Sequence, residues 1–176
     1  MHVSSLISRW AILTVVFTAS PLIAQTSPSY GVSISLDLAQ RCRAGATAEA
    51  KKNGWNVTIT VLDAGGHAIL VQRMDGVQFG SVAVAHDKAY SAVAFRRSTK
   101  TFDEMVVQGG SGLRLLKVPG LTPVEGGLPI VHDGHVIGGI GVSGATAQQD
   151  GQIAQACLNA LQEQPTEKEA ADAPAR

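Results

Sequence analysis

Charge is scarce in this chain. Asp, Glu, Lys and Arg make up 16% of its 176 residues, and 14 basic side chains balance 14 acidic ones. A chain with no excess of one sign carries no electrostatic footprint for nucleic acid and no polybasic patch for a membrane surface. Aromatic residues are also few, at 5%, and cysteine occurs only twice. Three catalytic signatures are missing: a Cys-x-x-Cys pair, a His-Glu-x-x-His helix and a Gly-x-Ser-x-Gly elbow. Zinc-hydrolase and serine-hydrolase chemistry therefore have no support.

Apolar residues, at 45%, suffice for a buried core, and the length suits one domain. The N-terminal segment stands apart. Arg9 is its only strong charge, Trp10 to Ala19 is apolar, and a polar stretch begins at Gln25. That layout predicts a cleaved signal peptide over 1–24, because the apolar run falls short of the ~20 residues that a spanning helix needs. The mature chain is then expected to be secreted or periplasmic, with no membrane span. Cys42 and Cys157 form an even count, which in an oxidising compartment allows a disulfide; each is equally readable as a small buried apolar residue.

Residues 25–34 read as a polar leader, 35–162 as the folded domain and 163–176 as a charged, disordered tail. Ser35 is placed to cap a helix from Leu36 to about Lys52, closed by Asn53-Gly54. Trp55 to Leu62 alternates as a strand, Asp63 to Gly66 turns, and His67 to Met74 returns as its hairpin partner. Ser81 is expected to cap a helix running to about Arg97, and Phe102 to Gln108 to form a short one. Leu113 to Val118 reads as a further strand. Leu128–His132 and His135–Val142 form a hairpin about Asp133-Gly134, and Thr146 caps a last helix to Gln162. Two hairpins without βαβ alternation predict an α+β fold, a single antiparallel sheet with helices packed on it. Gly139-Ile-Gly141-Val-Ser-Gly144 matches a dinucleotide fingerprint, but its strand ends a hairpin and no parallel strand follows. The glycines are expected to admit a close neighbour instead.

Several residues carry ligand chemistry. His67 and His86 offer imidazoles suited to a haem iron, and Met74 or a tyrosine offers an alternative. Arg73 and Lys88 are cations able to clamp ligand carboxylates. His86, Lys88, Asp75 and Glu125 form a second possible set, an acid, a base and an anion clamp for an enzyme. His132 and His135 face each other across their turn, as exposed turn residues or as a metal pair.

Three segments resemble one family: VLDAGGHAILVQRMDG (Val61–Gly76), AVAHDKAYSAVAF (Ala83–Phe95) and GGLPIVHDGHVIGGIGVSGATAQQD (Gly126–Asp150). The pattern resembles the GlcG/HbpS-like, or haem-degrading-domain, family over residues 35–162. His67, Met74, Asp75 and Lys88 match recurring positions of that pattern. The resemblance implies a profilin-like arrangement of about five antiparallel strands with helices on the sheet faces. It also implies homo-oligomers, from dimer up to octamer, and in exported members a planar ligand, haem. The expected slot lies near residues 73–90 and the glycine-rich 109–127 segment, between subunits if not within one. The leading expectation is an exported haem-binding protein serving iron sequestration, sensing or oxidative degradation. The alternatives are a cofactor-free enzyme on a small organic acid or carbonyl compound, and an oligomeric accessory protein for a sensor or transporter.

Overall fold

The computed structural model describes residues 27–162. The expected signal peptide and the C-terminal tail lie outside the described residues. The strands are β1 (Ser29–Tyr30), β2 (Thr58–Asp63), β3 (Ala68–Arg73), β4 (Gly127–His132) and β5 (His135–Ser143). The helices are α1 (Leu36–Lys52), α2 (Gly80–Phe95), α3 (Thr99–Val107) and α4 (Ala147–Gln162), with a 3-10 helix at Gly110–Lys117.

Local chemistry sets most boundaries. Ser35 Oγ accepts the Leu38 N–H at 3.3 Å at the start of α1, and Gly54 takes φ 69° just past its end. Asp133 and Gly134 adopt φ 48° and 76°, the left-handed pair that a two-residue hairpin turn requires. Thr146 Oγ1 accepts the Gln149 N–H at 3.3 Å and caps α4.

Strand β5 is central. One edge pairs with β4 and the other with β2, both antiparallel. β1 pairs with His135 and Val136 in parallel, beyond the end of β2. The sheet is thus antiparallel with one short parallel addition, and part of the expected leader supplies that strand. Two further expectations are corrected. Leu113–Val118 is not a strand: most of it belongs to the 3-10 helix, which packs on α3 so tightly that a Cβ at Gly112 would collide with the Met105 carbonyl. Ser81 does not cap α2. The helix starts at Gly80, no side chain caps it, and the buried Ser81 hydroxyl has no protein partner.

Helices α1 and α4 cover one face of the sheet. Their small residues Ala39, Ala46, Ala50 and Ala154 pack with Val57, Ile59, Val61, Ile140 and Val142. Each fully buried Val or Ile contributes roughly 1.5–3 kcal/mol. Cys42 and Cys157 are joined in a disulfide between the two helices. Helix α2 covers the other face. Gly139 and Gly141 make this possible: a Cβ at Gly141 would collide with the Ala85 carbonyl, and one at Gly139 would lie 2.6 Å from Val93 Cγ2. The glycine pattern therefore serves helix packing, as the hairpin context predicts. Among the described residues no helix is long and apolar enough to cross a membrane.

Candidate functional site

The fold separates the candidate residues into four places. Lys88 is inside. It is 1% exposed, and its Nζ donates to Asp150 Oδ2 at 2.8 Å and to the Val142 carbonyl at 3.0 Å. Asp150 Oδ1 in turn accepts the Ala145 N–H at 3.1 Å. Burial holds the Asp150 carboxyl above its ordinary range, against the opposing pull of Lys88. The Gly126-Gly127 step passes directly over this pair. A Cβ at Gly126 would sit 2.8 Å from Lys88 Nζ, and one at Gly127 would collide with the Lys88 carbonyl. Lys88 thus ties α2 to α4, and its ammonium is already occupied.

Arg73, Met74 and Asp75 lie at the far end of the β2–β3 hairpin. Arg73 and Asp75 are exposed, while Met74 packs against the core beneath α1. Six residues of strand, about 20 Å at ~3.3 Å per residue, separate Arg73 from His67 at the hairpin turn. Glu125 is elsewhere again, held by Lys100 Nζ at 3.1 Å and 3.2 Å. The four residues of the acid–base set, His86, Lys88, Asp75 and Glu125, are therefore not gathered around one point.

The fourth place is the outer face of α2. The His86 side chain is 44% exposed, and its Nδ1 lies 3.4 Å from Asp87 Oδ1. One turn on, Tyr90 stacks near-parallel to it, with ring centroids 6.5 Å apart and planes 12° off. Two glycines flank opposite edges of the Tyr90 ring, where an added side chain would crowd it. A Cβ at Gly66 would stand 3.1 Å from Cδ2 and Cε2, and one at Gly120 would stand 3.0 Å from Cε1. Both glycines have positive φ, 84° and 73°, a backbone that side chains strain to adopt. Gly66 adjoins His67, so the hairpin turn that carries His67 is packed against Tyr90. The His67 side chain itself is 84% exposed and 3.5 Å from Asp63. Asp63 Oδ1 accepts the His67 and Gly65 N–H groups, each at 2.8 Å. The His67 N–H is the main cause that holds its carboxyl below the usual range.

Beside Tyr90 opens a cleft of about 210 Å³, walled by Asp87, Tyr90, Gly120, Leu121 and Thr122. Ser91 fixes its wall. Ser91 Oγ accepts the Thr122 N–H at 2.7 Å and lies 2.8 Å from the Asp87 carbonyl and 3.1 Å from that of Gly120. This is where residues 73–90 meet the 109–127 segment. The remaining histidines lie off this site: His132 is 3.4 Å from Asp133, and His135 Nδ1 is 2.8 Å from Ser29 Oγ. Among the described residues, no group of three or more His, Cys, Asp or Glu could hold a metal ion.

Sequence reasoning picked out His86 and passed over the cleft's structural members. Tyr90 falls at i+4 from His86, a spacing that places both on one helix face, and that signal was present. The roles of Ser91, Gly66 and Gly120 depend on contacts across 24 to 31 residues and had no local signature.

The family model described as haem degrading protein HbpS-like matches residues 34–159. The chain belongs to this family. GlcG of Escherichia coli strain K12 is 41% identical over 112 residues, which is 64% of this chain and 82% of GlcG. Among solved structures, the protein ORFY of Klebsiella pneumoniae superposes with a TM-score of 0.71 at 31% identity, over 82% of this chain and 100% of that one. The PduOC–haem complex superposes with a TM-score of 0.67 at 29% identity, over 73% and 95%.

Of the two known axial donors on this helix face, Tyr90 lines the cleft and His86, one turn away, does not. In size the slot is small, since sites that enclose a ligand of drug size measure about 300–1,000 Å³. A slot of this size does not by itself enclose a macrocycle.

Proposed function

We propose that this protein is an exported haem-binding protein whose ligand sits on the outer face of α2, against Tyr90 and the loop of Gly120 to Thr122. The observation that carries the reading is the conjunction of two donors, His86 and Tyr90, with a cleft whose wall is fixed by Ser91. Family membership and the haem complex of PduOC support it. The only charged group on the cleft wall is Asp87. An acid there disfavours small organic anions and leaves haem carboxylates to point outward. Bound haem would supply a redox-active iron. The chain's own residues position the ring, limit water on one side and hold the donor atoms.

Export is supported by the disulfide between Cys42 and Cys157, which persists in oxidising compartments, and by the signal-like N-terminus. A homo-oligomer is supported by Phe79 and Val82, apolar side chains exposed at the start of α2, which a second copy would cover while adding the missing wall.

Haemin titration of the mature protein, followed in the Soret region, tests the reading. Saturable binding is expected. It should weaken at least about tenfold (about 1.4 kcal/mol) in Gly120→Val, which fills the cleft, and stay unchanged in His67→Ala. A linear, non-saturating titration of the wild type would remove the proposal. Equal binding by Gly120→Val and wild type, with circular dichroism unchanged, would move the site elsewhere.

A further inference from the structure

The cleft beside Tyr90 is chemically one-sided. Asp87, Tyr90, Gly120, Leu121 and Thr122 give it one carboxylate, one aromatic ring, one aliphatic side chain and no cation. Two backbone donors of its loop are already spent. The Leu121 N–H donates to the Val118 carbonyl at 3.2 Å, and the Thr122 N–H to Ser91 Oγ at 2.7 Å. An anionic guest would meet a carboxylate with little to offset it. Asp87 also differs from the other carboxylates around α2. Asp150 is paired with Lys88, and Glu125 with Lys100. Asp63 accepts the N–H groups of its own turn. Asp87 has no lysine or arginine partner among the described residues, and its one ionic neighbour is His86 Nδ1 at 3.4 Å. The volume, about 210 Å³, is that of about seven waters at ~30 Å³ each, which suits a guest of about as many non-hydrogen atoms.

Going beyond the haem reading, and not resting on it, we propose that this cleft is a site for a small organic cation, a primary alkylammonium. Its charged end meets the Asp87 carboxylate, and its short chain lies against Tyr90 and Leu121. An ammonium is a donor with nothing to accept, so the spent N–H groups of the loop cost it no contact. Its bond to a carboxylate is charge-assisted, and an aromatic ring attracts a cation. The Asp87 side chain is more than half exposed, so the guest keeps part of its water and the attraction is screened by salt. Haem set against Tyr90 and the same loop would exclude the cation, so the two ligands compete.

The test titrates the whole mature protein with n-butylammonium chloride and follows backbone amide shifts by NMR. Parallel titrations use 1-butanol and sodium butyrate, which keep a similar chain and change the charge. Saturable binding of butylammonium is expected at a roughly millimolar Kd, with shifts confined to residues 87–91 and 119–123. Butanol and butyrate should each bind at least about tenfold more weakly. Asp87→Asn is an isosteric change at an exposed side chain, so the fold is retained, as circular dichroism would verify, and butylammonium affinity should fall at least about tenfold. Non-saturating shifts in the wild type overturn the inference. So does butyrate binding as tightly as butylammonium, or undiminished affinity in Asp87→Asn. Uptake of haemin by a protein that ignores butylammonium overturns the inference and leaves the haem reading standing; the reverse result overturns the haem reading alone.

Discussion

On one side of the sheet α1 and α4 are fastened to each other; on the other, α2 lies on the strands with much of its own surface open. The fastened side is made of small, apolar, fully buried residues. Gly45 lets the helices approach until a Cβ would stand 2.5 Å from Ala160 Cβ, and the disulfide bridges them. The open side has a different chemistry. Beneath α2, the buried hydroxyls of Thr58, Thr60 and Ser81 have no partner among the described residues. Lys88 and Asp150 are paired out of reach of water, and Phe79, Val82 and Tyr90 face outward. Unpartnered buried polar groups and exposed apolar ones both cost stability. They are concentrated on the side that carries the cleft, while the other side supplies the rigidity that tolerates them. Stability and ligand chemistry are thus divided between the two faces.

That division can be broken from the stable side first. Replacing both Cys42 and Cys157 by Ser releases a loop 115 residues apart in sequence. By the loop-entropy argument this should cost roughly 5 kcal/mol, read as a lower urea midpoint, with haemin affinity unchanged in the protein that remains folded. Next is the Lys88 pair. Lys88→Met alone leaves Asp150 buried and uncompensated, and is expected to cost about 3–5 kcal/mol, whereas Lys88→Met with Asp150→Leu should recover most of it. Denaturant unfolding of the three proteins decides whether the pair is structural, because a ligand-contacting Lys88 would not be rescued by the second change.

Smaller effects sharpen the contrast. Thr60→Val keeps the shape and removes a hydroxyl that has no protein partner, so it should stabilise by about 1 kcal/mol. Destabilisation would reveal a water bound in the seam. The least effect concerns the hairpin turn beside Tyr90. The Asp63 carboxyl is held below its ordinary value, chiefly by the His67 N–H. Its contribution is present above the ordinary carboxylate range and is lost as pH falls through the depressed value, below about pH 4. Amide exchange at Gly65 and His67 should accelerate there first, with little change in the α1–α4 pair.

Much of the fold was legible because its signals are local. Ser35 and Thr146 cap with their own side chains, Asp133-Gly134 supplies the turn dihedrals, and the alternation of Val57, Ile59 and Val61 marks one buried face. Leu113–Val118 misled because a short run of leucines fits either a strand or a tight helix, and only packing against α3 chooses between them. Ser81 misled because a serine before an apolar stripe reads as a cap, yet α2 begins one residue earlier. The site was half legible. His86 stood out by type, but whether a histidine, arginine or lysine is free depends on what surrounds it in space. Lys88 was read as a ligand cation and is instead enclosed by residues from β5 and α4.

By itself, the sequence determined the family, the α+β class, the two hairpins and the helix termini, since each rests on interactions within a few residues or on a pattern that the chain carries in order. Tertiary structure alone decided the parallel β1, the burial of Lys88 against Asp150, the pairing of Cys42 with Cys157 and the placing of Tyr90 between Gly66 and Gly120. These are contacts between segments far apart in the chain. Their geometry is set by how the helices settle on the two faces of the sheet, and no local preference encodes that.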